Sequence, residues 1–298
     1  MQVSVVVVEK RGQLDDWLTV RNELEPDEPL RFEQLLARRD AEPERRELLA
    51  AVGDEIAGIG SVGPKDEPRE LAYGYIGVRD AWRQRGIESA VLAEIREIAR
   101  AWERSRLELW AREDDGDLVA FLEGHGFVEV MREGGLALDI EAGPSQATLP
   151  LPGGVVIEAV AARGELADGA YEVATQTWRD IPGETGIEER AAWLRLHVEG
   201  AAGGAVVAVH RRKVVGFAGL YRLAGEGLYE HDLLAVLPAY RRRGIARAMK
   251  TAQLQWLRKH GARRVVTWNA EANEAARALN LSLGYRPLPS SIAFQGPI

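Results

Sequence analysis

The stretch AYRRRGIARA (239–248) decides the fold of this chain, because it follows an apolar strand-like segment and opens a helix-like one. A similar stretch, AWRQRGIESA (81–90), lies 158 residues earlier. At that shift, residues 71–127 align with 229–285 without a gap, and 13 of the 57 positions are identical. The matches fall on glycines, arginines and strand-like runs, so the sequence predicts two copies of one fold.

The bulk composition narrows the class of protein. The 298 residues suffice for two domains, and 46% hydrophobic with 28% charged residues is ordinary for a globular protein. A net charge of −8 argues against nucleic-acid and membrane-surface partners, which usually require a basic face. The absence of cysteine excludes disulfides and thiolate catalysis, and the histidines lack metal-ligand spacing, so we expect no metal.

The sequence predicts neither a membrane-spanning segment nor a signal peptide. No apolar stretch approaches the roughly 20 residues that a membrane span requires. The apolar start, residues 3–8, lacks the basic leader and the cleavage site of a signal peptide and therefore predicts a strand. We expect a cytoplasmic protein that is a monomer or a homodimer.

Both copies show the same predicted order of elements. Each begins with a strand and one or two helices, continues with a strand–turn–strand pair and a further strand, and then reaches the arginine-glycine loop and a long helix. A strand, a short helix and a closing strand complete it. Residues 142–154 contain three prolines and three glycines and are typical of a linker, so we place the domains at 1–146 and 147–298. The long helices carry apolar stripes: Ile87, Val91, Ile95, Ile98, Trp102 in one copy and Ile245, Met249, Ala252, Trp256 in the other.

The second loop has the chemistry of a phosphate cradle. The first amides of a helix lack intrahelical partners, and the helix dipole adds positive charge there. Gly244 lets a ligand approach the backbone closely, Ala246 keeps the adjoining wall small, and Arg241 and Arg243 add positive charge. A solvated, arginine-rich helix end is the alternative interpretation of this stretch alone. The chain contains neither G-x-x-x-x-G-K-[ST] nor G-x-G-x-x-G, which leaves nucleotide kinases and dinucleotide dehydrogenases without support.

Residues 241–246, RRRGIA, resemble the Q/R-x-x-G-x-G/A motif with which GNAT acetyltransferases bind the pyrophosphate of acetyl-CoA. Downstream, TWNAEANEAARALNLSLGYRP (267–287) resembles the later strand and helix of that family, including the Gly-aromatic pair at its end. Two such units resemble the tandem GNAT proteins, a mycothiol synthase-like architecture. The resemblance implies an α/β (α+β) protein of two GNAT folds. Each would be a mixed, mostly antiparallel twisted sheet flanked by helices, with a splayed central strand.

The resemblance also implies an N-acetyltransferase in which the amine of a small molecule attacks acetyl-CoA directly. It assigns one acetyl-CoA site to the C-terminal domain, with pantetheine on the strand backbone and pyrophosphate in the loop. The residues matched to that site are Leu234, Ala235, Val236, Arg241, Arg242, Arg243, Gly244, Ile245, Ala246, Arg247, Asn273 and Asn280.

The candidate general base is a carboxylate. Glu230 matches the position at which mycothiol synthase-like proteins have an assigned base. Independently, strand alternation puts Glu230 and Asp232 on one face and His231 on the other, where a structural role is expected. A carboxylate near the thioester can take the proton of an attacking amine. Two solvent-facing acids at the end of a strand are the alternative.

The proton donor for the leaving thiolate is not evident. Asn280 stands where many family members have a tyrosine that acts as the acid, and an asparagine cannot act as one. Either the thiolate leaves unassisted or another hydroxyl approaches, of which Tyr285 and Tyr240 are the candidates.

The first copy has lost the chemistry of the second. Glu88 replaces Ala246, and a carboxylate about 4 Å from a diphosphate costs on the order of 1 to 4 kcal/mol. At the positions of Glu230, Asn273 and Asn280 the first copy has Ala72, Asp115 and Leu122. We therefore expect a degenerate domain with a structural or substrate-shaping role.

The acceptor pocket is expected in the segment 177–186 and near Tyr221. Asp180 and Glu184 would attract a cationic amine, and Trp178 would supply an apolar or cation–π wall, although a plain surface loop is an equal alternative. A non-catalytic acyl-CoA-binding or scaffold protein remains the competing function. Within the enzymes, a protein amino group as acceptor and a longer acyl-CoA as donor also remain open.

Overall fold

The computed structural model describes residues 2–141, 151–180, 187, 189–199 and 203–298. The chain divides into two compact units: unit 1 comprises Met1–Gly134 and Pro289–Ile298, and unit 2 comprises Gly135–Leu288. The predicted boundary at residue 146 and the predicted site residue Glu184 lie outside the described residues. Within the described parts of the chain, no helix is both long and apolar enough to cross a bilayer.

The helices and strands follow the predicted order, except that two strands instead of one close the second copy. The elements are β1 (Ser4–Val7), α1 (Arg11–Leu24), α2 (Phe32–Ala41), β2 (Arg46–Val52), β3 (Glu55–Pro64), β4 (Leu71–Val78), α3 (Ile87–Ala101), β5 (Arg106–Arg112), α4 (Gly116–Gly124), β6 (Val128–Asp139), β7 (Val155–Ala159), α5 (Gly164–Thr177), α6 (Arg190–Leu194), β8 (Val206–His210), β9 (Lys213–Arg222), β10 (Leu228–Val236), α7 (Ile245–Lys259), β11 (Arg264–Ala270), α8 (Glu274–Ser282), β12 (Arg286–Pro287) and β13 (Ser291–Pro297). Helix α6 continues into a π-helical turn, Arg195–Glu199.

Unit 1 is a mixed sheet covered by helices. Its strand order is β1-β2-β3-β4-β5-β13-β6, with β4 and β5 parallel and the other neighbours antiparallel. Ile87, Val91 and Ile95 of α3 are fully buried, as the stripe predicts, and Ile98 and Trp102 are half-buried and pack against the same core. Strand residues alternate between two cores, because Leu48 packs with the α3 stripe whereas Leu49 packs with α1.

Unit 2 repeats that plan. Strands β7, β8, β9, β10 and β11 follow one another in the sheet, and β12 pairs with residues 135–139 of β6. The pair β10–β11 is parallel, and β9 is antiparallel to both β8 and β10. On α7 the predicted Ile245 and Met249 are buried, whereas Ala252 and Trp256 are only half-buried. Leu254 and Leu257 complete the buried face instead, together with Lys250, Thr251 and Gln253, which the stripe did not include.

The two copies in the sequence do not coincide with the two units. Strand β13, at the end of the second copy, pairs with β5 and β6 in unit 1, where its Ile292 and Phe294 are buried. The later half of β6, which closes the first copy, carries Leu136 and Leu138 into the core of unit 2. Backbone hydrogen bonds hold a strand in a sheet, and its alternating pattern does not specify which sheet it joins. The sequence pattern therefore could not show this exchange.

Candidate functional site

Two neighbouring strands of unit 2 part in the middle of their length. The parallel pairing of β10 with β11 covers Leu228, Tyr229 and Glu230 and ends with Glu230 opposite Val266. Both strands continue beyond that point, β10 to Val236 and β11 to Ala270. This opening is the predicted splay, and it begins beside the predicted catalytic residues.

A β-bulge in β10 lies at the same place. The register with β9 runs from Tyr229 to His231 and shifts by one residue before Leu234. A Cβ atom on Gly219 of β9 would come within 2.4 Å of Asp232 Oδ2, so only a glycine leaves room for that carboxylate. Bulges of this kind re-aim side chains next to functional sites.

The face of β10 that carries Glu230 and Asp232 lies against Tyr221 and His197. Glu230 lies directly opposite Tyr221 of β9, and both side chains are half-buried. Asp232 Oδ2 accepts a hydrogen bond from His197 Nδ1 over 2.5 Å, and the Tyr221 hydroxyl lies 2.9 Å from the same nitrogen. The structure therefore brings together three predicted residues: Tyr221, Glu230 and Asp232.

His197 is the member of this cluster that the sequence did not predict. It lies on the π-helical turn, stacks on Trp193 with 4.8 Å between ring centroids, and its side chain is 8% exposed. It precedes Asp232 by 35 residues on a separate element, so no local motif links the two. Among the described residues, the His, Asp and Glu side chains form no group of three or more suited to a metal ion.

The opposite face of β10 carries a different polar pair. His231 Nε2 and the Tyr285 hydroxyl are 2.5 Å apart, and both residues are buried. Burial and the nearby Lys250 hold the pKa of His231 well below its usual value, and burial raises the pKa of Tyr285. His231 thus faces away from Glu230 and Asp232, as expected. Tyr285 joins His231 there and is not brought together with the two carboxylates.

Helix α7 places a lysine behind this pair. Lys250 is 2% exposed, and its Nζ lies 5.3 Å from the centroid of the Tyr285 ring. Burial lowers the pKa of Lys250 to about 7. Gln253, one turn further along, donates to the carbonyl oxygens of Ala218 and Gly219 and so ties α7 to β9.

The predicted cradle has the backbone of an open helix start. Arg242 has φ +60° and Gly244 has φ +80°, both in the left-handed region. Gly244 is the N-cap of α7 and provides no side-chain cap, and a Cβ there would meet nothing within 4 Å. The Ile245 side chain is buried and anchors the helix, whereas Ala246 is half-buried. The first amides of α7 are thus available to an anion.

The arginines around this helix start have several partners. Arg241 donates to the carbonyl of Val236 over 2.9 Å and forms an ion pair with Asp180. The guanidinium of Arg243 lies over the ring of Tyr240, and Arg247 donates to Ser282. Asp180, which the sequence predicts to attract substrate, is thus paired with a predicted cofactor residue.

The remaining predicted residues divide into strand backbone, helix caps and buried groups. On β10, Ala235 is buried, and Leu234 and Val236 are half-buried. Trp178 is also half-buried. Asn273 caps α8, since its Oδ1 accepts from the Ala276 amide over 3.2 Å.

Asn280, the last of the predicted set, is 2% exposed, and its Nδ2 donates to Asn269 Oδ1 over 3.0 Å. Its amide thus serves a buried contact between α8 and β11.

In unit 1 the corresponding strands stay paired further along their length. Strands β4 and β5 stay paired from Leu71 to Tyr75, and β4 pairs with β3 without a register shift. Asp115 caps α4 and forms an ion pair with Arg83, the counterpart of Arg241. Glu88 lies in the first turn of α3 and is 9% exposed.

A family model describes both parts of the chain. The model of the acetyltransferase (GNAT) family matches residues 13–127 and 167–285, more than half of the sequence. Among curated protein sequences, none matches the chain.

Solved structures resemble the chain over its whole length. A tandem GNAT protein from the clavulanic acid biosynthesis pathway, solved without acetyl-CoA, is 20% identical with a TM-score of 0.79, and the match covers 99% of this chain and 98% of that one. A GCN5-related N-acetyltransferase from Sphaerobacter thermophilus is 18% identical with a TM-score of 0.75, over 99% and 95%. A GNAT-family acetyltransferase from Colwellia psychrerythraea is 11% identical with a TM-score of 0.65, over 99% of both chains.

Proposed function

The chain belongs to the GNAT family of acetyltransferases, and on that premise we propose that its C-terminal domain transfers the acetyl group of acetyl-CoA to the amine of a small molecule. One observation carries the proposal: β10 and β11 part after Glu230, and the uncapped start of α7 follows on the same chain. The N-terminal domain, residues 1–146, keeps the fold and contributes no second active site.

The residues present fit the cofactor. The first-turn amides of α7 and the Arg243 guanidinium supply positive charge for a pyrophosphate, Arg241 lies beside them in its ion pair with Asp180, and the open space at Gly244 admits the ligand. The backbone of β10 from Leu234 to Val236 lies beyond the last residue paired with β11, so it can bond the pantetheine amides.

Acetyl-CoA supplies an activated thioester, and the protein must position an amine and accept its proton. Glu230 and Asp232 place two carboxylates at the point where the strands part, where they attract an ammonium group and where one of them can accept the proton that the amine loses on attack. A thiol has an ordinary pKa of about 8.5, so the thiolate leaves without a dedicated acid. This is consistent with the buried Asn280.

Calorimetry with acetyl-CoA tests the location of the site. We expect one site in the wild type and its loss in Gly244→Glu, because the new side chain fills the cradle with a negative charge. Gly86→Glu is the matched control, since Gly86 has φ +82° at the same position of the first loop and so imposes the same backbone strain. Two sites, or a loss of binding in Gly86→Glu alone, would contradict the assignment.

Release of free thiol over a library of primary amines tests the reaction. An enzyme acting on small molecules releases thiol with at least one amine. Binding of acetyl-CoA without release by any amine supports the non-catalytic binder instead, for which the asparagine at position 280 is the favouring observation. Peptides with free amino groups and longer acyl-CoA donors, run in parallel, determine the acceptor class and the acyl group.

A further inference from the structure

Building on the proposed function, we propose that Asp232 accepts the proton of the attacking amine and that His197 is a positioning residue that holds this carboxylate. Glu230, on the same face, attracts the ammonium group. No sequence motif links His197 with Asp232; only the fold brings them together.

The first support is where Asp232 lies. Glu230 is the last residue of β10 that pairs with β11, whereas Asp232 lies two residues further, in the bulge where the strands have parted. Asp232 is therefore beside the opening through which a thioester would meet an amine, and Glu230 is at its edge. A shorter side chain in a bulge is also the better fixed of the two carboxylates.

The second support is the hydrogen bonding of the carboxylate. His197 Nδ1 donates to Oδ2, while within the described structure no hydrogen bond is made to Oδ1. Oδ1 is thus left for the substrate, and the imidazole fixes the plane of the carboxylate. His197 is itself fixed by its stack on Trp193, and the Tyr221 hydroxyl oxygen, 2.9 Å from Nδ1, can accept from the same N–H.

The third support is the space that Gly219 leaves for the Asp232 carboxylate. Gly219 lies so close to Asp232 that any Cβ there would displace the carboxylate. Its counterpart in the first copy is Ser61, and the counterpart of Asp232 is Gly74. The first copy thus has a serine and a glycine where the second has a glycine and an aspartate, so only the second copy pairs a carboxylate with the space that a glycine leaves.

The chemical step balances with these groups. The ammonium group attracted by Glu230 first loses one proton to water. The neutral amine nitrogen then forms a bond to the thioester carbonyl carbon, the carbon–sulfur bond breaks, and the thiolate leaves with the electron pair. The nitrogen becomes strongly acidic as it forms that bond, so Asp232 Oδ1 can take its proton and later release it to water or to the thiolate. The products are an amide and free coenzyme A.

The test uses acetyl-CoA and whichever amine of the library releases thiol fastest. We expect Asp232→Asn to lower kcat by about 100-fold or more, with the Kd for acetyl-CoA within twofold. His197→Phe keeps the stack on Trp193 but removes the donor, so kcat falls by at least about 10-fold at an unchanged KM for acetyl-CoA. His197→Asn restores an N–H close to the position of Nδ1 and recovers most of that loss.

Two further variants complete the test: one displaces the carboxylate, and the other is a control for loss of a histidine–tryptophan stack. Gly219→Ala moves the carboxylate without changing its chemistry and is expected to lower kcat in the same way as His197→Phe. His260→Phe is the matched control, because His260 also stacks on a tryptophan, Trp256, but is exposed and bonds only the Trp256 carbonyl. Its kinetics should equal the wild type.

The possible outcomes distinguish a failure of the Asp232 assignment from a failure of the proposed acetyltransferase function. If Glu230→Gln abolishes turnover while Asp232→Asn and His197→Phe stay within threefold of wild type, the Asp232 assignment is wrong and the acetyltransferase function stands. If no amine releases thiol from wild-type protein that binds acetyl-CoA, the proposed function fails, and this inference fails with it. Equal losses in His197→Phe and His197→Asn would contradict the positioning role.

Discussion

The two arginine-glycine loops have the same backbone and different chemistry. In the first loop Gln84 has φ +57° and Gly86 has φ +82°; in the second, Arg242 and Gly244 have +60° and +80°. Each glycine is the left-handed N-cap of the long helix that follows. The shape of the turn is therefore a property of the fold and does not by itself indicate an anion site.

The charges at the two helix starts are what differ. In unit 1 the carboxylate of Asp115 pairs with Arg83, and Glu88 brings a second negative charge into the first turn of α3. Carboxylates are stabilised at a helix N-terminus, so the protein's own acids occupy the electrostatic role that a phosphate would have. In unit 2 the same positions have Asn273 and Ala246, so the first turn of α7 carries no carboxylate, although Arg241 pairs with Asp180 from another segment.

The parallel strand pairs that precede the two loops also differ, in the length over which they stay paired. Five consecutive residues of β4 pair with β5, against three of β10 with β11, and only β10 has the bulge against β9. A closed pair satisfies its backbone groups within the sheet, whereas a parted pair presents them to a ligand. On the proposed assignment of acetyl-CoA to the C-terminal domain, the longer strand pairing and the additional carboxylate are the differences that separate the two copies, while both keep a buried core.

The largest effect is expected where the copies exchange closing strands. Phe294→Ala empties a fully buried position of unit 1 and should destabilise that unit by about 3 to 5 kcal/mol. Hydrogen exchange should then accelerate in α3 and not in α7. Leu138→Ala, in the part of β6 that belongs to unit 2, should accelerate exchange in α7 instead. The reverse pattern would contradict the exchange.

A smaller effect is expected from transferring one residue between the loops. Ala246→Glu places the first copy's carboxylate into the second cradle and should weaken acetyl-CoA binding by about 1 to 4 kcal/mol, roughly 5- to 1,000-fold. The reciprocal change, Glu88→Ala, should create no second site, because Asp115 still holds Arg83 and β4 stays paired with β5. Calorimetry measures both. A new site in Glu88→Ala would show that charge alone separates the loops.

Much of this comparison could be predicted from sequence. The repeat, the order of elements, the helix start at Gly244 and the two faces of β10 all follow from local spacing and alternation, which depend on neighbouring residues only. The splay was expected from the family resemblance and is present after Glu230.

The rest depends on contacts that are distant along the chain. The destination of β13, the approach of His197 to Asp232 and the Arg241–Asp180 pair join elements many residues apart, and no periodic pattern encodes them. The burial of Lys250 was missed for another reason. A lysine on a helix is normally exposed, and sequence alone gives no sign that this one packs against Tyr285.

The smallest expected effect concerns one buried position that differs between the two long helices. Lys250 of α7 has the buried Leu92 as its counterpart in α3. The pKa of Lys250 is about 7 in the folded protein, against an unfolded value of about 10.5. Between those values the unfolded state binds one more proton than the folded state, so stability rises with pH at about 1.4 kcal/mol per unit. Below pH 7 both states are protonated, and this contribution to the slope disappears.

Lys250→Leu makes α7 resemble α3 and should remove that slope. Urea titrations of the wild type and the variant at pH 7, 8 and 9 measure it as a difference, in which groups common to both proteins cancel. The variant should be the more stable protein at pH 7, with the advantage shrinking toward pH 9. A constant difference across that range would mean that Lys250 keeps its proton when buried, held by the face of the Tyr285 ring.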